Sequence, residues 1–133
     1  MRLDRCAAGI GLAAALMVLA GCGQSGPTYY HVSGTVTFAG SPVPKGTVMF
    51  EPDAAKGVRG QMGYADLVNG KFDTRAAGKG VLGGAYVVRV LGYDGKAAYE
   101  APYGNGIFPE YTINKDLPKE DSTLTIDVPR KRS

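Results

Sequence analysis

After residue 33 the chain meets a glycine or a proline every few residues, as in Ala39-Gly40-Ser41-Pro42-Val43-Pro44-Lys45-Gly46. No other feature constrains the fold as strongly. Proline removes a backbone donor and glycine weakens a helix interior, so this composition argues for short strands over long helices. The runs between the breaks are short and rich in β-branched and aromatic residues. In Val32-Ser33-Gly34-Thr35-Val36-Thr37-Phe38 the residues Val32, Gly34, Val36 and Phe38 point one way. His31, Ser33, Thr35 and Thr37 point the other. A period of two marks a strand with one buried face, and it puts His31 on the solvated side.

The same reading extends along the chain. Strands are expected at 30–38, 47–51, 59–66, 71–74, 83–93 and 122–128, with short additions at 107–108 and 111–113. Residues 39–46 read as a loop because two prolines cannot join a ladder. Asn69-Gly70 is a hairpin signal, and Asp94-Gly95 turns the chain. Residues 96–121 are irregular and contain Pro102, Pro109 and Pro118. About seven strands without a convincing helix predict an all-β fold, an antiparallel β-sandwich of two facing sheets over 30–129. Its core is expected from Val32, Val36, Phe38, Val48, Phe50, Tyr86, Val88, Val90, Leu124, Ile126 and Val128. No disulfide supports this core: the chain has two cysteines, Cys6 and Cys22, both before the first strand.

The placement of Cys22 has its own logic. Arg2 and Arg5 precede an uncharged run, Ile10–Ala20, that is too short to span a bilayer as a helix. A positive start, a short apolar run and small residues at its end describe a secretory signal peptide, expected here as a helix. Leu19-Ala20-Gly21-Cys22 resembles the lipobox of bacterial lipoproteins. The resemblance implies that residues 1–21 are removed and that Cys22 carries lipid. Its partner is then a membrane, and the protein faces the periplasm or the exterior of a cell envelope. Gly23, rather than Asp, follows Cys22, which by the enterobacterial sorting habit favours the outer membrane. Residues 22–29 read as a lipidated cysteine and tether, and 130–133 as a basic tail.

Val32-Ser33-Gly34-Thr35-Val36-Thr37-Phe38, then Gly40-Ser41-Pro42-Val43 and Thr47-Val48-Met49-Phe50, resembles the opening of carboxypeptidase regulatory-like domains. Asn69-Gly70-Lys71-Phe72 and Gly84-Ala85-Tyr86-Val87-Val88-Arg89-Val90 are similar to later motifs of that family. The resemblance spans residues 32–128 and implies a Greek-key, transthyretin-like sandwich. It implies no peptidase activity, because such domains are accessories to catalytic ones. The tyrosine-rich loop 97–105 departs from the family pattern.

The residues argue against familiar catalytic chemistry. One histidine, and no cysteine free after lipidation, leave no nucleophile–base pair of the usual kinds. No carboxylate spacing resembles a calcium loop, and 77–84 lacks the phosphate-loop pattern. Asp53, Asp66, Asp73, Asp94, Asp116 and Asp121 mostly sit beside turns, where Asp bonds to nearby backbone. Hydroxyisourate hydrolases share the transthyretin fold but use several histidines and a different C-terminal motif. Removing the leader leaves 13 basic and 11 acidic residues, too even a balance to indicate nucleic acid. No catalytic residue, cofactor or metal is therefore expected.

The candidate binding surface is Tyr93, Tyr99, Tyr103, Phe108 and Tyr111, in and around the long loop. Tyrosine offers an apolar face and a polar tip to glycans or proteins. The expectation is a lipid-anchored, non-catalytic binding or assembly module. The alternatives are a passive structural envelope protein, in which the tyrosines only pack, and an enzyme of unknown type. His31 beside Asp and Arg in a cleft would favour the enzyme.

Overall fold

The computed structural model describes residues 26–130. The fold is all-β and mostly antiparallel. In chain order the strands are β1 (Val32–Phe38), β2 (Ser41–Pro42), β3 (Lys45–Pro52), β4 (Gly63–Val68), β5 (Lys71–Asp73), β6 (Gly84–Tyr93), β7 (Tyr111–Leu117) and β8 (Ser122–Val128). One helical turn, α1 (Thr74–Ala77), follows β5, and a 3-10 turn covers Ala54–Lys56.

Two separate facing sheets were expected. The strands instead join edge to edge in one curled sheet, in the order β2-β1-β5-β4-β3-β6-β7, with β8 on the other side of β1. β8 runs parallel to β1 over the whole of both strands, from Val32↔Ser122 to Phe38↔Val128. The antiparallel expectation therefore fails at this pair. Gly34 lets the two strands approach: a Cβ there would lie 1.7 Å from the Leu124 carbonyl oxygen. The curl gathers one core. Val32, Val36, Val48, Phe50, Tyr86, Val88, Val90, Ile126 and Val128 are buried as expected, with Phe38 and Leu124 half-buried against them. Tyr86 fills the centre, and its hydroxyl accepts from the Leu82 N–H at 2.8 Å.

Several boundaries differ from the expectation for local reasons. Ser41-Pro42 is a short edge strand, not loop, because Ala39 and Gly40 both take positive φ (52° and 80°) and close a two-residue hairpin onto β1. Asn69-Gly70 makes the hairpin turn expected of it (φ 51° and 76°). Residues 59–62 lie outside β4. Residues 107–108 form no strand, whereas the strand expected at 111–113 runs on to Leu117. Helical structure enters through two short caps. Asp53 and Asp73 accept from the N–H two residues on, and Gly57 and Gly78 end the turns at φ 79° and 66°.

Strand direction sorts the connections into two ends. β1 rises from Val32 to Phe38, and β8 rises beside it. The antiparallel registers then place Tyr30, residues 53–62, 74–83 and 118–121 at the lower end. The turns 39–44 and 69–70, the loop 94–110 and residues 129–130 lie at the upper end.

Candidate functional site

The upper end is organised by Asp94. Its Oδ1 accepts from the N–H groups of Lys96 (2.8 Å) and Asn105 (3.2 Å), so one carboxylate holds both stems of the loop. Asp94 N–H donates to the Asn105 carbonyl, and Gly95 N–H to that of Tyr103, each at 2.9 Å. Gly104 has φ 89°, and a Cβ there would sit 1.9 Å from Asp94 Oδ1. The loop closes only because that residue is glycine.

The expected aromatic surface divides in two. Tyr93 lies on the outer face of β6, and Tyr103 folds back onto it with ring centroids 5.8 Å apart. Phe108 and Tyr111 lie at the inner side. The Phe108 ring sits over Gly92, where a Cβ would come within 2.4 Å, and meets Phe38 at a centroid distance of 5.1 Å. Tyr99 joins neither group. It stands at the loop tip with its side chain fully in solvent.

Phe108 and Tyr111 border an apolar groove of about 370 Å³, together with Phe38, Ile107, Pro109 and Val128. Glu110 and Arg130 lie at its rim. Glu110 also accepts from Arg89 Nη1 (2.8 Å), and Glu51 accepts from Arg89 Nε (2.8 Å). The Glu51 and Glu110 bonds raise the Arg89 guanidinium further above its already high range. Tyr64, which was not singled out, lies on the outer face low on β4, where its N–H donates to the Lys79 carbonyl at 3.1 Å. It donates to Asp66 at 2.6 Å on the same face of β4, and that bond, with burial and the neighbouring negative charge, pushes its hydroxyl pKa up to about 12. The signal available in the sequence was the i, i+2 spacing of Tyr64 and Asp66 in a strand.

The lower end gathers polar groups. Thr74, fully buried, accepts the Val32 N–H at 2.9 Å and lies 3.2 Å from His31 Nδ1. Asp121 accepts the His31 backbone N–H (2.8 Å) and pairs with Arg75 (2.9 Å). The His31 bond, aided by Arg75, holds the Asp121 carboxyl below the usual range. His31 is therefore half-buried and not solvated as expected. An Asp and an Arg are close to it, yet the carboxylate meets its backbone N–H and not its ring. Among the described residues no three His, Cys, Asp or Glu side chains gather in a metal-holding group.

Leu19, Ala20, Gly21 and Cys22 lie outside the described residues, as does the tail after Arg130. No helix of the described residues is long and apolar enough to cross a membrane. No protein-family model, curated protein or solved structure matches this chain.

Proposed function

We propose that this chain is a lipid-anchored envelope protein. In this reading the curled sheet folds over on itself as a Greek-key sandwich of the transthyretin-like, carboxypeptidase regulatory-like kind, and the domain binds a protein or glycan without catalysis. One observation carries the proposal: the aromatic loop and groove lie at the end of the sheet opposite the tether. The chain enters at Tyr30, beside Val81 at the lower end, and β1 rises seven residues from there to Phe38. At ~3.3 Å per residue that places the groove roughly 20 Å beyond the point of entry. A domain held through Cys22 thus presents Tyr99, Tyr103 and the Phe108–Tyr111 groove away from the membrane.

The lower cluster supports the non-catalytic part of the reading. Thr74 Oγ1, the hydroxyl nearest His31, is engaged by a backbone donor, and Asp121 by a backbone N–H and a guanidinium. Such groups close a fold. A passive structural role is the second reading, favoured by the pairing of Tyr103 on Tyr93 and Phe108 on Phe38.

In-cell crosslinking with affinity recovery and mass spectrometry separates the two. Binding predicts one recurrent partner of the anchored form, lost when Tyr99 and Tyr103 become alanine. Recovery of abundant envelope neighbours alone, unchanged by those substitutions, favours the structural role. Cys22→Ala is expected to release the protein or leave its leader uncut; a cleaved form still held on the membrane would remove the anchor.

A further inference from the structure

We infer that the free edge of β8 takes up an extended peptide segment of a partner protein. The segment adds to the sheet as a strand and seats one bulky apolar side chain in the groove beside Phe108. This deepens the proposed binding function and rests on it.

The bonds already made identify the groups left over. Ser122 N–H donates to the His31 carbonyl at 3.0 Å, while Val32 is its Cα partner. A residue in a parallel ladder bonds to both neighbours of its partner, and the pattern repeats at every second residue. Ser122, Leu124, Ile126 and Val128 therefore direct their N–H and C=O groups to β1. β1 agrees from its other side. Val36 donates to the Gly70 carbonyl (2.7 Å) and accepts from the Val43 N–H (3.2 Å), so Thr35 and Thr37 face β8. The backbone groups of Thr123, Thr125 and Asp127 then point outward. Among the described residues no backbone group meets them, and all three residues are exposed.

The opposite edge of the sheet, β7, is protected differently. By register with Tyr86, Lys115 lies on the core-facing row of β7. Lys115 is exposed, and a charge on that row of an edge strand opposes added pairing. β8 carries no such charge: Leu124, Ile126 and Val128 form its core-facing row, over a regular run of seven residues. β7 and β8 also line one cavity of about 410 Å³, between Ile113 and Ile126. It continues at Tyr111 into the groove beside Phe108.

The groove selects the occupant. A second copy paired antiparallel about Thr125 would place Ser122 opposite Val128, offering a small polar side chain to about 370 Å³ of apolar space. A partner segment with a Phe- or Leu-sized residue at that register fills it. Asp127, on the exposed row, disfavours an acidic residue opposite it. Main-chain bonds supply attachment in such strand addition, and alternate side chains supply specificity.

The test is panning of a nonapeptide library displayed on phage against the full-length chain in detergent micelles. Thr125→Pro removes one outward N–H and leaves the β1 ladder intact, the one setting in which a strand accepts proline. Enriched peptides are expected to share a bulky apolar residue and to bind about tenfold more weakly to Thr125→Pro and to Phe108→Ala. Amide hydrogen exchange on the unaltered chain gives a readout that needs no variant to fold. An enriched peptide should slow exchange at Thr123, Thr125 and Asp127 and leave Leu124 and Ile126 as they were. Absence of enrichment, affinity unchanged by Thr125→Pro, or protection away from those three amides overturns the inference. So does protection that rises with protein concentration without peptide and is accompanied by dimer in sedimentation, which assigns the edge to a second copy. If strand addition fails while a crosslinked partner still depends on Tyr99 and Tyr103, the binding function stands alone; loss of both removes both.

Discussion

At the tether end, polar side chains close backbone donors: Thr74 takes the Val32 N–H, Asp121 the His31 N–H and Asp73 the Arg75 N–H. At the far end Asp94 and a set of backbone bonds hold the stems of a loop that carries aromatic faces and borders an apolar groove. The Val32 N–H is buried, and left without a partner it would cost stability, so Thr74 is tied to folding. Aromatic faces left in water cost the fold little and remain available for contact. The difference teaches that one end of this sheet is built to be closed and the other to be approached.

Substitutions can break or sharpen this contrast. The largest effect is expected where the two ends share a strand. In Gly34→Val the new side chain meets the Leu124 carbonyl and forces β1 from β8, at a cost of about 3 kcal/mol or more. Urea unfolding should show it, and near-native stability would mean that the parallel pair is not tightly closed. Thr74→Val comes next. It leaves the Val32 N–H without an acceptor and should cost about 1–3 kcal/mol. Tyr99→Ala, at the exposed loop tip, should stay within about 0.5 kcal/mol of the parent in the same assay. Equal losses at the two positions would erase the contrast.

Asp121 and Tyr64 should also respond differently to pH. The Asp121 carboxyl is held below its ordinary value of 3.8, so its contribution is complete above that value. It is lost as pH falls through the lower native value. Acid unfolding should therefore be less steep in Asp121→Asn, with a small difference because the group is exposed. Tyr64 behaves in the opposite sense. Its pKa is raised from 10.0 to about 12, so its contribution is present below pH 10 and is lost as pH rises between those values. Ultraviolet titration should show late-ionising tyrosines, Tyr64 near pH 12 and the buried Tyr86 also raised, and Tyr64→Phe should remove the first of these steps. An unchanged titration would break the Tyr64–Asp66 bond on the outer face of β4.

Much of the fold was legible because its signals are local. The period of two in β1 and β8, the Asn69-Gly70 turn and the apolar run of β6 each depend on neighbours in the chain. Asp53, Asp73 and Asp94 each accept from the N–H two residues on, as Asp beside a turn does. The short hairpin at Ala39-Gly40 escaped because its two positive φ angles are not announced by an Asn or Asp. The core positions Val43, Ala65, Leu67, Phe72, Val81 and Leu117 are buried but were not singled out, since their burial comes from the curl. Of the candidate surface, the residue types were readable and their grouping was not. Tyr93 and Phe108 are neighbours in any reading of the loop, yet the sheet passes between them.

The sequence by itself determined an all-β chain, its main strands, most of its buried row and the residue types of its aromatic loop. Each of these follows from alternation, propensity and turn chemistry within a few residues. Only the tertiary structure decided that β8 lies parallel to β1, that β7 and β8 remain as edges, and that the loop stands opposite the point of entry. Those facts depend on pairings such as Val32 with Ser122, ninety positions apart. At that separation no local preference specifies a neighbour, and shared burial in one core selects it.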